Sequence, residues 1–352
     1  MRVRLQYLIK EGSKNYFNRV SYILKNKRQK IVFFGSDSIC LPSLEWLFLK
    51  GEEQWELLAV VSQPDRKQGR GQKLKSNPVA EYAKDKGIQL LQPDKPGEGL
   101  VQFFEDHRVD ISFVMAYGHF LGRGIRKASR LGMVNFHGSI LPKYRGASPV
   151  ETAIASGEKE TGVSLMQIDR EMDAGAVADI ERIAIEKEDC ASSVRKKIGQ
   201  ATIPILERSM TSLLKSELEF KPQDETLKSH CRKLTKEDGL IDFGLSAQGI
   251  HNRWRAFKTW PNSFCFHGET RIKVGQLEIC EHSLAGHELS LPSGSVILEK
   301  DSLKVVTSNG LIRILELQKA GGKMLAVPDF LRGYTIKDGD LLKGQKSIPL
   351  LL

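Results

Sequence analysis

The chain has 352 residues, of which 40% are hydrophobic and 27% are charged, a composition that excludes a wholly disordered or collagen-like protein. At about 150 residues per domain, this length predicts two domains. No apolar run approaches the roughly 18 residues that a membrane-spanning helix needs, so the sequence predicts no transmembrane segment and no membrane partner.

The net charge of +10 is unevenly distributed along the chain. Residues 1–30 contain nine basic residues and one acid and carry +8, whereas residues 31–225 carry −3 and residues 226–352 carry +5. A positive balance favours an acidic partner such as nucleic acid, but most of it lies in a basic N-terminal extension, 1–29. The extension lacks the apolar run of a secretory signal, which leaves an organelle-targeting leader, a solvated arm or an upstream start codon as its explanations.

The five cysteines are widely spaced and include no Cys-x-x-Cys pair. Their odd number and spacing argue against a disulfide framework and against a zinc site. We therefore expect a cytoplasmic protein without a bound metal.

Residues 30–217 alternate short apolar segments with longer helical patterns. The apolar segments, rich in Val, Ile and Phe, predict buried strands at 31–34, 57–62, 89–92, 111–116, 133–137 and 163–168. Helical patterns lie between and after them, at 42–50, 78–86, 97–107, 149–156 and 192–214. This alternation predicts an α/β domain with a doubly wound, mostly parallel sheet.

A second, smaller domain is predicted after a linker. Residues 218–235 are assigned to the linker because 220–225 are polar, contain proline and show no periodicity. Within 236–345, short strand candidates separated by Gly and Ser turns occur at 271–274, 294–299, 304–307 and 311–318. Their spacing predicts a small β-barrel or sandwich.

The densest polar cluster lies at the end of the predicted strand 133–137. Asn135 and His137 are two residues apart, so a strand directs both side chains to one face. A satisfied core histidine is the structural alternative, but the paired Asn and the glycine after the His favour a functional pair. A carboxylate that orients the imidazole is expected after the last strand of this domain, with Asp173 the stronger candidate and Asp169 the weaker.

Asn, His and Asp together suit chemistry at a carbonyl group. An amide N–H and a protonated imidazole can donate to a developing oxyanion, while the Asp orients the His. The sequence has no Gly-x-Ser-x-Gly elbow, so direct transfer of a carbonyl group between two bound substrates fits better than a covalent acyl-enzyme.

A basic stretch follows the second predicted strand. Residues 63–75 contain two glycines, one acid and five basic residues, namely Arg66, Lys67, Arg70, Lys73 and Lys75. The stretch is either a solvated mobile loop or a flexible clamp on phosphates.

The sequence motifs and their order along the chain resemble those of the formyltransferases that use 10-formyltetrahydrofolate. The resemblance is carried by 135–149, 160–163 and 172–175. Within that family, the chain is similar to the enzymes that act on methionyl initiator tRNA, at 63–66, 69–71, 116–118, 233–236, 241–242, 255–261 and 317–323. One departure is Gly122, where such enzymes usually have proline.

The resemblance implies a formyltransferase-type catalytic domain at 30–217 and an OB-like, tRNA-binding barrel at 236–345. It implies transfer of the formyl group of 10-formyltetrahydrofolate to the amino group of methionyl initiator tRNA, through a tetrahedral intermediate, for translation initiation. By position, it implies that Asn135, His137 and Asp173 are catalytic. The implied folate-binding residues are Ser139, Ile140, Leu141 and Pro142. Arg70 is implied to enter the acceptor-stem end of the tRNA, and the basic stretch contributes four further tRNA-binding residues: Arg66, Lys67, Lys73 and Lys75. We expect a monomer.

Two other functions remain open from the sequence. A formyltransferase acting on a small amine, such as glycinamide ribonucleotide or an amino sugar, would use the same three residues but would leave the basic stretch without a role. A non-catalytic RNA-binding protein would leave Asn135, His137 and Asp173 without a role.

Overall fold

The computed structural model describes residues 28–51, 54–68, 71–280 and 290–352. The predicted extension therefore lies outside the described residues except for its last two, and so does Arg70. The chain divides into two compact units. The first comprises the described residues up to Phe136 together with Leu206–Glu219, and the second comprises His137–Ile205 with Phe220–Leu352.

The first unit is built on parallel strands. Its elements, in chain order, are β1 (Gln29–Phe34), α1 (Leu41–Lys50), β2 (Trp55–Val61), β3 (Arg66–Gln68), β4 (Lys73–Lys75), α2 (Pro78–Asp85), β5 (Gln89–Leu91), α3 (Glu98–His107), β6 (Ile111–Val114), α4 (Arg123–Ala128) and β7 (Met133–His137), whose last residue begins the second unit. Five of the strands pair in parallel in the order β7–β6–β1–β2–β5. All four residues of β6 are buried, because a parallel strand is covered on both faces.

Local sequence explains where these helices begin and end. Helix α2 begins at Pro78, and the side chain of Asn77 accepts a hydrogen bond from the N–H of Ala80, a normal N-cap. Helix α3 ends at Arg108, whose left-handed backbone (φ 53°) stops the helix.

The second unit contains a hairpin and an antiparallel half-barrel. Its elements are β8 (Arg145–Gly146), α5 (Pro149–Ala155), β9 (Glu160–Gln167), β10 (Val177–Ala184), α6 (Ala191–Leu214, which ends in the first unit), β11 (His230–Cys231), α7 (Ala247–Phe257), β12 (Ser263–His267), β13 (Thr270–Ile279), β14 (Val296–Glu299), β15 (Ser302–Val306), β16 (Leu311–Lys319), β17 (Leu325–Ala326), α8 (Val327–Gly333) and β18 (Leu342–Lys343). Strands β9 and β10 pair antiparallel.

The half-barrel is one antiparallel sheet in the order β14–β15–β16–β13–β12–β18, with β17 paired to β16. Two register shifts in β13, on either side of Gln276, interrupt its pairing with β16, and such irregularities bend a sheet. Its core contains Trp254 and Phe330, from α7 and α8, packed among buried aliphatic strand residues.

The predicted fold class is confirmed, with a mostly parallel α/β sheet followed by an antiparallel half-barrel. The sequence did not predict α7, whose Gly249 and Asn252 obscure a helical pattern. It also missed β10, where acidic residues alternate with apolar ones on a half-exposed strand.

The described residues contain neither a candidate membrane-spanning helix nor a candidate metal-binding cluster. In that part of the chain, no helix has the length and apolar character needed to cross a membrane. The same residues contain no group of three or more His, Cys, Asp or Glu side chains that could hold a metal ion.

Candidate functional site

The histidine at the end of β7 is held between two acceptors. The side chain of His137 is 6% exposed. Its Nε2 lies 2.9 Å from the backbone oxygen of Tyr144, and its Nδ1 lies 3.5 Å from Oδ2 of Asp173. A carbonyl oxygen can only accept, so Nε2 carries a hydrogen. The Nδ1–Oδ2 distance is too long for a strong hydrogen bond, which leaves this edge of the ring less constrained.

Asp173 reaches the imidazole from the connection between β9 and β10. Its backbone is left-handed (φ 55°), and its Oδ2 accepts a 2.9 Å hydrogen bond from the N–H of Gly146. Asp169 is exposed and accepts from the N–H of Arg170. Of the two carboxylates that the sequence suggested, the structure therefore brings Asp173 to His137.

Two glycines allow the backbone to approach closely around this carboxylate. Gly146 has φ 107°, and an added Cβ would lie 2.3 Å from the backbone oxygen of Cys231. At Gly175, an added Cβ would lie 1.9 Å from the oxygen of Gln167. Neither position can accept a side chain without movement of the backbone. The approach at Gly146 is part of the pairing of β8 with β11.

Asn135 lies two residues before His137 on β7 and is partly buried. The alternation of side chains along a strand directs both to the same face. Both residues lie on β7, whose bounds match the strand that the sequence predicts at 133–137.

The four predicted folate-binding residues have two different environments. Ser139 and Leu141 are buried. The hydroxyl of Ser139 donates to the oxygen of Lys143 at 2.6 Å, and the N–H of Leu141 donates to Oγ of Ser164 at 3.1 Å. Ile140 and Pro142 are partly exposed. The polar groups of the first two therefore shape the loop, while the other two present apolar surface.

Four of the predicted tRNA-binding residues lie on strands β3 and β4, which pair as a hairpin, and the fifth, Arg70, lies outside the described residues. The register of the hairpin places Arg66 opposite Lys75, and both side chains are exposed, as are those of Lys67 and Lys73. Like charges directly opposite each other destabilise a strand pair, and a bound anion would remove that penalty.

Asp65 precedes β3 and holds the base of the hairpin by hydrogen bonds. Asp65 accepts hydrogen bonds from Gln92, from Ser76 and from Lys84. The bond from Gln92, followed by that from Ser76, lowers the pKa of Asp65 below its usual value. Asp65 therefore fixes the base while the basic side chains remain exposed.

Sequence reasoning missed four groups that bond His137, Asp173 or a partner of Asp173. These are the carbonyl of Tyr144, the N–H of Gly146, the guanidinium of Arg145 and the amide of Gln223. Backbone groups leave no sequence signal, and Gln223 lies in the predicted linker, where no motif singles it out.

Comparisons with known proteins show the family to which the chain is similar. The family model described as "Formyl transferase" matches residues 29–209, and "Formyl transferase, C-terminal domain" matches residues 233–335. The chain is 36% identical over 316 residues to a methionyl-tRNA formyltransferase of Caldanaerobacter subterraneus subsp. tengcongensis, covering 89% of this chain and all of that protein. It is 35% identical over 315 residues to that of Sorangium cellulosum, covering 89% of this chain and 99% of the relative.

Among solved structures, the chain resembles an N-formyltransferase from Helicobacter canadensis in complex with folinic acid and dTDP-3-aminofucose. The TM-score is 0.60 at 20% identity, covering 83% of this chain and all of that one. A sugar 3N-formyltransferase with dTDP and 5-N-formyl-THF gives a TM-score of 0.62 at 19% identity, covering 84% of this chain and 100% of that one. At these identities the likeness establishes the fold alone.

Proposed function

The chain belongs to the formyltransferase family, and we infer that it transfers the formyl group of 10-formyltetrahydrofolate to the free amino group of methionyl initiator tRNA, for translation initiation. The observation that carries this function is the similarity to methionyl-tRNA formyltransferases, which extends over 89% of the chain at 36% identity. The neighbours named for sugar amines are at most 20% identical and share only the fold. A non-catalytic RNA-binding protein would leave the buried pair of His137 and Asp173 without a role.

The reaction exchanges one bond from carbon to nitrogen for another. The neutral amine of the methionyl group attacks the formyl carbon and gives a tetrahedral intermediate. Collapse of this intermediate breaks the bond from carbon to the folate nitrogen. The amine loses one proton and the leaving nitrogen gains one, so the step balances without an oxidant or a reductant.

Asn135, His137 and Asp173 are proposed as the catalytic residues. The amide of Asn135 and the Nδ1–H of protonated His137 donate to the oxyanion, as preorganised donors do in acyl transfer. Nε2–H remains bonded to the oxygen of Tyr144, so Nδ1 is the atom that holds and passes the proton. The carboxylate of Asp173 stabilises the charged ring while that proton is present.

The folate is proposed to bind along Ser139, Ile140, Leu141 and Pro142. The internal hydrogen bonds of Ser139 and Leu141 give this loop a fixed shape before folate binds. Ile140 and Pro142 are partly exposed and provide the apolar surface that a pteridine ring requires. A preorganised loop lowers the entropic cost of binding.

The tRNA is proposed to contact the β3–β4 hairpin. Arg66, Lys67, Lys73 and Lys75 are exposed there, and Arg70, outside the described residues, is proposed to enter the acceptor-stem end. Arg66 and Lys75 carry like charges and face each other across the hairpin. A phosphate would neutralise both charges, which supports an anionic partner at this position.

The organisation of the chain is proposed to follow the sequence boundaries. Residues 30–217 form the catalytic domain, 218–235 the linker and 236–345 the tRNA-binding domain, a division supported by matches at 29–209 and 233–335. The protein is proposed to act as a cytoplasmic monomer.

One assay distinguishes the possible functions. Formylation of methionyl initiator tRNA is measured with and without 10-formyltetrahydrofolate over a salt series, beside glycinamide ribonucleotide and an amino sugar nucleotide. We expect folate-dependent formylation of the tRNA, and binding that weakens steeply with salt. Equal efficiency on a small amine would contradict the assignment, as would tRNA binding without formylation.

A further inference from the structure

The linker residue Gln223 is bonded to both sides of the Asp173 loop. Its Nε2 donates to the backbone oxygens of Asp173 and Gly175, each at 2.8 Å. Its Oε1 accepts from Nε and Nη2 of Arg145, at 3.0 and 2.8 Å. The two donors and both lone pairs of the amide are thus all used.

These partners fix which way the amide points. A guanidinium can only donate and a backbone carbonyl can only accept, so exchanging the amide oxygen and nitrogen would break all four bonds. Arg145 therefore sets the orientation in which Gln223 presents its two N–H groups to the loop.

Arg145 is itself held in place. It is the largest of the fully buried side chains and is 1% exposed. Its Nη2 lies 2.7 Å from Oε1 of Glu225. The hydrogen bond from Arg145, followed by that from Lys228, lowers the pKa of Glu225 to about 2. Because this folded-state value lies below the usual one of 4.5, Glu225 stays ionised at every pH above about 3 and the bonding of Arg145 persists there.

The Asp173 loop requires such support. Asp173 has φ 55°, a left-handed conformation that is uncommon outside glycine and costs free energy. The two carbonyls bonded by Gln223 lie at Asp173 itself and two residues later. On the other side, the N–H of Gly146, next to Arg145 on β8, holds the carboxylate. Strand β8 therefore acts on Asp173 in two ways, through Gly146 directly at the carboxylate and through Arg145, which orients Gln223 at the backbone.

We propose that Gln223 is a positioning residue for formyl transfer, holding the Asp173 loop so that the carboxylate faces Nδ1 of His137. Arg145 and Glu225 act through it by orienting its amide. The proposal rests on the catalytic role proposed for Asp173. It makes this part of the linker a support of the active site rather than a spacer.

The test uses two substitutions in the full chain. Gln223→Leu removes both donors and the acceptor. Gln223→Glu keeps an acceptor for Arg145 but places a carboxylate oxygen against two carbonyls. We expect Gln223→Glu to retain a thermal midpoint near that of the wild type while kcat falls about 10-fold or more, as for a misplaced general acid or base, with KM for tRNA and folate within about twofold.

The matched control is Gln102→Glu on α3. The amide of Gln102 also donates to an oxygen acceptor, Oδ1 of Asp106, at 2.8 Å and is exposed, so the same chemical change is made in the other unit. We expect kcat and KM of this variant to match those of the wild type. Wild-type kcat in both Gln223 variants would overturn the proposal.

A double-mutant cycle and hydrogen exchange separate positioning from general damage. In an Asp173→Asn background, Gln223→Leu should lower kcat by less than about twofold, because residues that act as one unit are not additive. An additive loss would overturn the proposal. Amide exchange at residues 170–176 should accelerate in Gln223→Leu whatever substrate the enzyme uses, and unchanged exchange would overturn it. If the wild-type protein failed to formylate the tRNA, the proposed function would be contradicted, but the support of the Asp173 loop by Gln223 would not.

Discussion

Nδ1 of His137 lies 3.5 Å from Oδ2 of Asp173, while the opposite ring nitrogen is committed to the oxygen of Tyr144. Both nitrogens of the ring thus face acceptors. The neutral imidazole with its hydrogen on Nε2 has none on Nδ1, whereas the protonated ring has one there, which the charge of Asp173 favours and an oxyanion can accept. The pair is arranged to stabilise the protonated histidine that an oxyanion requires.

Removing either member of this pair should therefore slow the chemical step. We expect His137→Ala and Asp173→Ala each to lower kcat by about 100-fold or more, as for the loss of an acid/base group or an oxyanion donor. Asp173→Asn should also lower kcat, because its amide oxygen can still accept from the N–H of Gly146 but the neutral side chain no longer stabilises the protonated ring by its charge. Single-turnover formylation of methionyl-tRNA measures the effect separately from product release.

The half-barrel supplies a matched control. His267 also faces an aspartate, with Nε2 3.1 Å from Oδ2 of Asp340. We expect His267→Gln to leave kcat within about twofold of the wild type. Near-normal turnover in both His137→Ala and Asp173→Ala would refute the catalytic assignment.

Gly146 is expected to be essential for the shape of the loop around Asp173. Gly146→Ala would place a methyl group 2.3 Å from the oxygen of Cys231 at φ 107°, so β8 would separate from β11. We expect a loss of several kcal/mol in the free energy of unfolding, since backbone clash and strained φ act together, and a fall in kcat. Urea unfolding and kinetics measure both.

Gly99→Ala on α3 is the control for this substitution. A Cβ at Gly99 meets nothing within 4 Å, and alanine is preferred to glycine in a helix by up to about 1 kcal/mol. We expect unchanged or slightly higher stability. A Gly146→Ala protein as stable and active as Gly99→Ala would contradict the proposed close approach.

The sequence predicts part of this site because two of its residues follow simple rules. Asn135 and His137 obey the two-residue period of a strand, and Asp173 follows the end of a later strand. The choice between Asp173 and Asp169 depends on a left-handed turn that no local pattern announces. Gln223 and Asp173 are 50 residues apart, and a bond across such a separation leaves no periodic trace.

The same distinction separates the predicted from the missed elements. Buried parallel strands such as Ile111–Val114 read as unbroken apolar runs. The two-residue strands β8 and β11 are too short to have a period, and their pairing is visible only in three dimensions. Helix α7 places Ile250, Trp254 and Phe257 on one buried face, but glycine and asparagine among them weaken its sequence signal.

Cations of the β3–β4 hairpin should contribute to tRNA affinity. We expect Arg66→Ala and Lys75→Ala each to weaken tRNA binding and to lower the salt slope of log K by about 1, as for the loss of one phosphate contact. Arg70→Ala should weaken binding as well. Filter binding over a salt series measures the slopes. Lys50 is an exposed cation that ends α1, and Lys50→Ala should leave the salt slope unchanged. An equal effect there would show that the hairpin cations act only through the overall charge of the protein and not as a specific contact.

Asp238 is expected to make stability in the second unit depend on acid pH. Its side chain is 0% exposed and pairs with Arg232. Burial raises the pKa of Asp238, but the hydrogen bonds from Arg232 and from the N–H of Thr235 outweigh it, so the net pKa lies below 3.8. A lowered carboxylate pKa contributes stability above the unfolded value, which is lost as pH falls through the folded one.

We therefore expect wild-type stability to decline below about pH 4 partly through this group. Asp238→Asn should lower the free energy of unfolding at pH 7 by about 3 kcal/mol, because it leaves a largely buried guanidinium without its charge partner, and should remove this part of the decline. Asp329→Asn, in the exposed pair with Arg332 on α8, should cost less than about 1 kcal/mol. Equal losses in the two variants, from urea unfolding at pH 7 and pH 4, would contradict the argument.

The segment 349–352 should stabilise the strand that supports Gly146. The oxygen of Leu350 accepts from the N–H of Arg232, and the N–H of Leu352 donates to the oxygen of His230, so this segment pairs beside β11, which in turn pairs with β8. Leu350 is 7% exposed, whereas Leu351 is 39% exposed. Leu350→Ala should lower the free energy of unfolding by about 2–4 kcal/mol, as for a buried leucine, and Leu351→Ala should lower it by under about 1 kcal/mol.

Since β11 lies between this segment and β8, Leu350→Ala should also accelerate amide exchange at Ala147, whose N–H donates to the oxygen of Cys231. Protection at Ala147 equal to that of the wild type would show that the segment does not support the loop.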